Sequence, residues 1–199
     1  MTAIILILGF TIVFGSIAYE KHVAPVNTTN CTDGWRITGY FTPIETDYAS
    51  SERTEVEIVG VGKVSFDSDF IKVIFDNEAG FGEGWGKTRF GWYLGNYSDA
   101  WHKSPDPLDA NNSPLKQNSI AVDNKLIPNN SIVTVPGLPG EYGKKQFIAN
   151  DVGVSVHGKH IDIYTGEGKE AQREMYRVTF EDDRNDLQRV CFDPPIGKP

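Results

Sequence analysis

The chain has 199 residues, of which 39% are hydrophobic and 12% aromatic, a composition that supports one globular domain with a real core. Twenty glycines and eleven prolines favour short strands and turns over long helices. The formal net charge of -8 disfavours nucleic-acid binding, because that function needs a basic surface against the phosphates. The same charge gives no reason to expect attraction to anionic lipid headgroups.

The first residues form an apolar run that is typical of a targeting segment. Residues 3–17 carry no charged side chain, and they are few for a membrane-spanning helix, which needs about 20 residues. Ser16 and Ala18 have the small side chains of a signal cleavage site, while an uncleaved anchor that extends through Tyr19 stays open. We therefore expect residues 1–19 to be a signal peptide or a membrane-anchor helix. The protein would be extracytoplasmic, either secreted or anchored by that segment.

Residues 20–33 are polar and rich in Asn and Thr, so we expect a tether there. One domain over 34–193 and a C-terminal tail over 194–199 follow. The two cysteines, Cys31 and Cys191, stand near the two ends of that domain. In an exported protein this pair predicts one disulfide, with two separate thiols as the alternative. Neither cysteine has a Cys or His at zinc-finger spacing, so no structural zinc is predicted.

Asn-x-Ser/Thr sequons would mark surface loops in an exported protein. Such tripeptides also occur by chance, so glycosylation stays open. They begin at Asn27, Asn30, Asn96, Asn111 and Asn129.

The domain opens with a predicted strand over 35–42 that ends before a proline. Its alternation places Thr38, Tyr40 and Thr42 on one face, opposite Ile37. Three hydroxyl side chains suit a sugar-binding groove, although Thr and Tyr are also ordinary strand formers.

Short apolar segments separated by turn residues continue along the chain. We predict one short helix, over 168–176. Many short strands with one late helix predict a small closed barrel. The further predicted strands are 54–59, 62–66, 70–75, 120–122, 131–135, 146–150, 161–164 and 177–180.

Glycines alternate with Trp, Phe and Tyr over residues 80–93. The block lacks the spacing of a phosphate loop. It suits a backbone that a ligand approaches closely, with aromatic faces such as that of Trp85 available for stacking. A curved barrel strand whose aromatic residues are core is the other interpretation. Residues 96–119 are rich in Pro, Asn and Asp and predict a long surface excursion.

Asp162 stands between Ile161 and Ile163 in a predicted strand, on the face opposite to theirs. A carboxylate in that position is costly to bury, so it either faces solvent or belongs to a site that uses it. Taken alone, the residue favours the solvated strand face.

Three segments, in this order, resemble the three-aspartate (3D) domain shared with MltA-type lytic transglycosylases. They are 83–88 (Glu-Gly-Trp-Gly-Lys-Thr), 121–128 with Asp123, and 151–164 with Asp151 and Asp162. The strand over 38–43 is similar to the opening strand of MltA proteins. The resemblance covers roughly residues 35–180, and its ordered set of motifs is more specific than any single one. It implies a mainly β fold: a small closed six-stranded double-psi β-barrel with added strands, one short late helix and the N-terminal apolar helix.

The resemblance also implies an activity, the cleavage of the MurNAc–GlcNAc β-1,4 bond of peptidoglycan with a 1,6-anhydro product. One carboxyl group would act first as acid and then as base, unlike the carboxyl pairs of hydrolases. Asp162 matches that group, and the neighbouring charge of Asp151 would raise its pKa. Asp123 would complete the polar cluster or only cap its own turn. The expected sugar contacts are Thr38, Tyr40, Trp85, Lys87 and Thr88.

MltA-type enzymes carry a second domain that forms the other wall of the groove, and residues 44–80 are too short to supply it in full. We therefore expect a more open groove, in which 96–119 replaces part of that wall. The chemistry requires no cofactor and no metal. We expect a monomer that acts on a peptidoglycan-like glycan, with no nucleic-acid partner and with membrane contact only through an uncleaved N-terminal segment.

A non-catalytic polysaccharide-binding or wall-loosening module on the same barrel is the alternative, because a fold alone does not decide function. A protein inhibitor or a structural domain is a third hypothesis, and the three aspartates do little to favour it.

Overall fold

The computed structural model describes residues 30–76, 78–79, 82–180 and 187–195. Within these ranges the fold is mainly β, as the sequence predicts. The strands are β1 (Asn30–Thr42), β2 (Arg53–Ile58), β3 (Gly62–Asp67), β4 (Trp85–Lys87), β5 (Tyr93–Tyr97), β6 (Ala100–Ser104), β7 (Ser119–Val122), β8 (Ile132–Thr134), β9 (Phe147–Asp151), β10 (His160–Glu167) and β11 (Gln188–Asp193), and the helices are α1 (Ser68–Ile74) and α2 (Gly168–Val178).

Six strands close into a barrel in the order β1, β10, β7, β9, β8, β11. β1 runs parallel to β10 and antiparallel to β11, which completes the ring. Alternation along each strand turns one set of side chains inward, and these sets are apolar. Ile37, Ile161 and Ile163 are among the core residues with 0% exposure. The closed six-stranded barrel expected from the sequence is confirmed.

The chain between β1 and β7 builds a second sheet, in the order β3, β2, β6, β5, β4. Together with α1 it surrounds its own apolar core, which includes Phe66, Phe70 and Leu94. β4 joins this sheet to the end of β1, since the Lys87 N–H donates to the Pro43 carbonyl at 2.8 Å. Residues 44–80 alone are short for a second wall, but the structure adds β4, β5 and β6 to them. The groove therefore has protein on both sides.

The predicted strand over 70–75 is wrong, because this segment lies in helix α1 and the residue after it. Asp67 caps the helix: its side chain accepts hydrogen bonds from the backbone N–H groups of Asp69 and Phe70. The buried side chains Phe70, Ile71 and Ile74 recur at helical spacing, which a short apolar run does not distinguish from a buried strand. Helix α1 is thus a helix of the described residues that the sequence does not predict.

The late helix is confirmed as α2, but the predicted strand over 177–180 is wrong. The helix continues to Val178, which is fully buried, and Phe180 N–H then donates to the Ile37 carbonyl at 3.0 Å. The last strand is β11, which pairs with β1 so that Cys191 lies opposite Cys31. These two cysteines form the predicted disulfide, which joins residues 160 positions apart.

Residues 1–29 lie outside the described ranges, and with them the leader or anchor, the sequon at Asn27 and most of the expected tether. β1 begins at Asn30, so residues 30–33 of that tether are strand. Among the helices in the described ranges, none is long and apolar enough to cross a membrane. The sequons at Asn30 and Asn96 lie in strands, whereas Asn111 and Asn129 are exposed outside strands.

Candidate active-site groove

A cavity of about 700 Å³ lies between the barrel and the second sheet. Barrel strands contribute Tyr40, Ala121, Asp151 and Asp162, and the residues after β9 continue that wall. Glu83, Trp85, Tyr97 and the 108–112 part of the long connection line the opposite side. The catalytic candidates Asp162 and Asp151 therefore share one groove.

The pairing of β1 with β10 sets the position of Asp162. Thr38 lies opposite Asp162 in the parallel register, so the hydroxyl face of β1 and the polar face of β10 coincide. Thr38 Oγ1 and Asp162 Oδ1 are 2.7 Å apart. Burial raises the pKa of Asp162 to about 6, with a smaller raising effect from Asp151, while the Thr38 hydrogen bond and Arg36 lower it. Because this pKa is about 6, Asp162 is half-protonated near pH 6 and can act there as a general acid.

Asp151 is held by the second hydroxyl of the same strand. The Tyr40 hydroxyl donates to Asp151 Oδ2 at 2.6 Å. Burial raises the pKa of Asp151 and the charge of Asp109 adds to this, while Tyr40 and the backbone N–H groups of Val152 and Ala110 lower it. Asp151 lies close enough to Asp162 for its charge to raise the pKa of that neighbour.

Ala121 separates the two aspartates. In the barrel it pairs with Asp162 on β10 and with Asp151 on β9. It is 3% exposed and lines the groove. A methyl group at this position leaves space above the strand, so both carboxyl groups can reach the same ligand.

Glu83 is a third carboxyl group of the groove, and sequence reasoning placed it in a motif without giving it a role. Its Oε2 accepts the Phe41 backbone N–H at 2.8 Å. Burial raises the pKa of Glu83 to about 8, and the charge of Asp162 adds to this. The side chain therefore carries a proton at neutral pH and presents a neutral carboxyl group beside Asp162. The sequence feature that could have indicated a role for Glu83 is its position between two glycines, at residues 82–84.

Aromatic rings form the floor on the side of the second sheet. The ring centroids of Trp85 and Tyr97 are 5.7 Å apart, and Trp85 Nε1 donates to the Leu108 carbonyl at 3.0 Å. Tyr97 is 45% exposed and stacks on His102, with centroids 3.9 Å apart. Trp85 itself is only 9% exposed and packs in an apolar cluster with Tyr93, Leu115 and Tyr164, which favours the core interpretation for this residue. The exposed Tyr97 was missed because it lies outside the glycine-rich block.

The long connection between β6 and β7 is fastened to the barrel by Asp109. This side chain is 6% exposed; its Oδ1 accepts the N–H groups of Asn111 and Ser113, and its Oδ2 accepts from Asn150 Nδ2 at 2.8 Å. The connection is therefore an ordered part of the groove wall. The predicted surface excursion over 96–119 is wrong for 96–104, because these residues form the end of β5, a turn and β6 of the second sheet.

Asp123 lies apart from the two other aspartates. It follows β7 and accepts the N–H groups of Lys125 and Gly158, the latter at 2.9 Å. These hydrogen bonds lower the pKa of Asp123, and its side chain does not line the cavity. The geometry favours the turn-capping alternative, extended by a contact to the loop before β10.

Lys87 and Thr88 also lie outside the cavity lining. Lys87 Nζ forms an ion pair with Glu167 Oε2 at 3.0 Å, and the buried Thr88 hydroxyl donates to the Trp92 carbonyl at 2.8 Å. Both residues support the strand end beside the groove. Thr38 does not line the cavity either, and it contacts Asp162 from behind.

The carboxyl groups of the groove do not form a metal site. Within the described ranges no cluster of three or more His, Cys, Asp or Glu side chains has the geometry to hold a metal ion. Asp123, the third member of the motif, is bonded elsewhere.

Residues 118–178 match the family model described as the 3D domain. This range holds β7 to β10 and α2, together with all three aspartates of the motif. The predicted resemblance to the 3D domain is confirmed for this part of the chain. No curated protein matches the chain.

Solved structures of MltA proteins share the fold. That of Escherichia coli MltA with bound chitohexaose is 16% identical, with a TM-score of 0.55 over 80% of this chain and 71% of that chain. The membrane-bound lytic murein transglycosylase of Agrobacterium tumefaciens is 12% identical, with a TM-score of 0.53 over 82% and 75%. Neisseria gonorrhoeae MltA is 12% identical, with a TM-score of 0.51 over 85% and 74%. At these identities the likeness establishes a common fold.

Proposed function

We propose that this protein is an exported peptidoglycan lytic transglycosylase in which Asp162 is the acid and then the base. The observation that carries the proposal is a half-buried aspartate in a two-walled groove, with its pKa raised to about 6 and a second carboxyl group beside it. The fold shared with murein transglycosylases supports the same reaction class.

In the first half of the reaction, Asp162 gives its proton to the oxygen that bridges MurNAc and GlcNAc. The bond between C1 of MurNAc and this oxygen breaks, and positive charge develops at C1. The carboxylates of Asp162 and Asp151 are placed to stabilise that charge, since they line one cavity.

In the second half, the ionised Asp162 accepts the proton of the 6-hydroxyl of the same MurNAc ring. The oxygen of that hydroxyl forms the new bond to C1, which yields the 1,6-anhydro ring. No water is consumed, and Asp162 ends the cycle with its proton restored.

The glycan would lie along the groove between barrel and second sheet. The exposed Tyr97, with Trp85 packed against it, offers an aromatic face to the apolar side of a sugar ring. The glycan ligand of the similar E. coli structure is consistent with a substrate of this shape.

The test is mass spectrometry of the products released from isolated cell-wall sacculi. Wild type should release 1,6-anhydro muropeptides, and Asp162→Asn should lower the rate by at least about 1,000-fold. The exposed Asp69, changed to Asn on helix α1, is the matched control and should leave release unchanged. Products with only reducing ends would show a hydrolase. Retained glycan binding without cleavage in wild type would show the non-catalytic module.

A further inference from the structure

Asp162 is linked to a buried histidine through the hydroxyl group of Thr38. Thr38 Oγ1 is 2.7 Å from Asp162 Oδ1 and 2.8 Å from His160 Nε2. On the other side of the ring, His160 Nδ1 is 3.2 Å from the Ser155 carbonyl oxygen. His160 is 6% exposed and precedes Asp162 by two residues in β10, so both side chains lie on one face. Carbonyl, imidazole, hydroxyl and carboxyl groups thus form one chain of contacts.

The carbonyl at the end of this chain limits where protons can be. Because it only accepts, Nδ1 of His160 must carry a hydrogen for the contact to be attractive. In a neutral ring Nε2 is then an acceptor, and the single hydrogen of the Thr38 hydroxyl points to it. Thr38 Oγ1 therefore presents a lone pair to Asp162. That contact is attractive only when Asp162 Oδ1 carries a proton.

A second arrangement satisfies every contact with the same number of protons. If His160 is an imidazolium, Nε2–H donates to Thr38, and the hydroxyl donates to an ionised Asp162. The two arrangements interconvert when two hydrogens shift along the chain. Once the shared proton is lost altogether, the Thr38 hydroxyl cannot donate in both directions, so one contact of the chain fails.

We propose that Asp162, Thr38 and His160 share one proton, and that His160 is a positioning residue that holds this proton in the site through Thr38. The catalytic meaning of the proposal rests on the proposed function, in which Asp162 is the acid and base. When the shared proton passes to the glycosidic oxygen, the chain is left one hydrogen bond short. Asp162 then regains a proton readily from the 6-hydroxyl, which explains how one carboxyl group serves both halves of the reaction.

The surrounding charges favour the arrangement with the proton on Asp162. Burial lowers the pKa of His160 and the exposed His157 lowers it further, against the raising effect of the Ser155 carbonyl. Burial and Asp151 raise the pKa of Asp162, against the lowering effect of the Thr38 hydrogen bond. Arg36 lowers both, so it does not choose between them. Glu83 faces Asp162 from the second sheet, Tyr40 from β1, and β7 faces it with the uncharged Ala121.

Nuclear magnetic resonance of the full-length protein tests the shared proton without any need for catalysis. The ¹³C shift of the Asp162 carboxyl and the ¹⁵N shifts of the His160 ring are followed against pH. We expect His160 to be the neutral Nδ1–H tautomer while Asp162 is protonated. The ¹⁵N shifts of the His160 ring should then change at the pH midpoint of the Asp162 titration. In Thr38→Val, which keeps the shape of the side chain, the ring should no longer sense that midpoint. An Nε2–H tautomer in wild type would overturn the proposal, and so would His160 ring shifts that do not change at the pH midpoint of the Asp162 titration.

The pH dependence of glycan cleavage tests the positioning role. His160→Phe frees the Thr38 hydroxyl to donate to ionised Asp162, so the alkaline fall of kcat/KM should move to lower pH. A movement of about one pH unit gives roughly tenfold lower kcat/KM above the midpoint. In the Thr38→Val background the same change should have no effect on the midpoint, and the exposed Asp69→Asn on α1 is the control in wild type. An unmoved profile in His160→Phe, or an equal movement in both backgrounds, would contradict the role. If wild type cleaves no glycan, the proposed function fails, while the resonance titration still decides the shared proton.

Discussion

At the scale of single residues, the carboxyl groups of the groove differ because each has different contacts. Asp162 faces Thr38, Asp151 accepts from Tyr40, and Glu83 accepts a backbone N–H of β1. Burial raises the pKa of all three. Neutral Glu83 limits the negative charge in the groove, so Asp162 and Asp151 can both approach one sugar ring.

Glu83→Gln should make stability less dependent on pH. Burial raises the pKa of Glu83 from its ordinary value of 4.5 to about 8 in the folded state, so between these values only the folded protein holds the proton. The free energy of unfolding therefore falls as pH rises through this window, by up to about 1.4 kcal/mol per unit. Glutamine resembles the neutral carboxyl group and removes this slope. Urea unfolding at pH 5, 6.5 and 8 measures it, with the exposed Glu78→Gln as control. An unchanged slope in Glu83→Gln would show that Glu83 is ionised.

Tyr40→Phe should move the alkaline fall of activity to lower pH. Without the hydroxyl donor the pKa of Asp151 rises, Asp151 loses charge, and its raising effect on the pKa of Asp162 weakens. We expect about tenfold lower kcat/KM at neutral pH, the size of one hydrogen bond to a charged group. Tyr164→Phe is the matched control, because that buried hydroxyl pairs with Thr42 at 2.9 Å and does not line the groove. Equal effects of the two changes would indicate a packing defect.

At the scale of elements, the groove depends on two attachments that join distant parts of the chain. Asp109 fastens the connection between β6 and β7 to β9 through Asn150. The disulfide fastens β1 to β11. The first attachment shapes the site, and the second holds the barrel closed.

Asp109→Ala should release residues 105–118 from the barrel. The change removes the acceptor of three hydrogen bonds, two within the connection and one from Asn150 of β9, which together hold Ala110 beside Asp151. Hydrogen exchange should rise in 105–118 and stay low in β7 and β10, with about tenfold slower glycan cleavage. Asp106→Ala in the same connection is the control. Faster exchange throughout the barrel would instead show a global loss of stability.

Replacing both Cys31 and Cys191 by Ser should lower stability with little effect on the site. A cross-link across 160 positions restricts the unfolded chain by up to about 5 kcal/mol in the loop-entropy treatment. The Tm should fall, while kcat/KM at low temperature stays within about twofold, because the disulfide lies outside the groove lining. Wild type in reducing agent should show the same Tm as the double variant.

At the scale of the whole molecule, the second sheet turns a barrel surface into a groove. The glycan would contact the barrel through carboxyl groups and the second sheet through aromatic rings. Reaction and binding are thereby divided between the two walls.

Tyr97→Ala should therefore affect binding more than the chemical step. The lost aromatic face is expected to raise KM about five- to tenfold, while kcat changes less than about twofold. Tyr176→Ala on helix α2, where the side chain is 67% exposed and away from the groove, is the control. A fall in kcat at unchanged KM would place Tyr97 near the reacting bond instead of along the glycan.

The closed barrel, the disulfide and the proximity of Asp151 to Asp162 were predictable from the amino-acid sequence. Period-two alternation encodes which strand face is buried, and an ordered set of short motifs encodes a family. The strand predicted from the sequence over 70–75 was wrong, because a short buried apolar run fits a helix and a strand equally well. Likewise, the sequence assigned Lys87 and Thr88 to the groove from their place in a motif, although their side chains turn to Glu167 and to a backbone carbonyl.

Only the tertiary structure decided which polar residues meet. The parallel register of β1 and β10 brings Thr38 to Asp162 across 124 positions, and Glu83 reaches β1 across 42. The second wall depends in the same way on the pairing of β2 with β6, which are far apart in the chain. Such contacts depend on the register and the burial of segments that lie far apart in the chain. Because tertiary packing sets both, a local pattern of residues does not predict them.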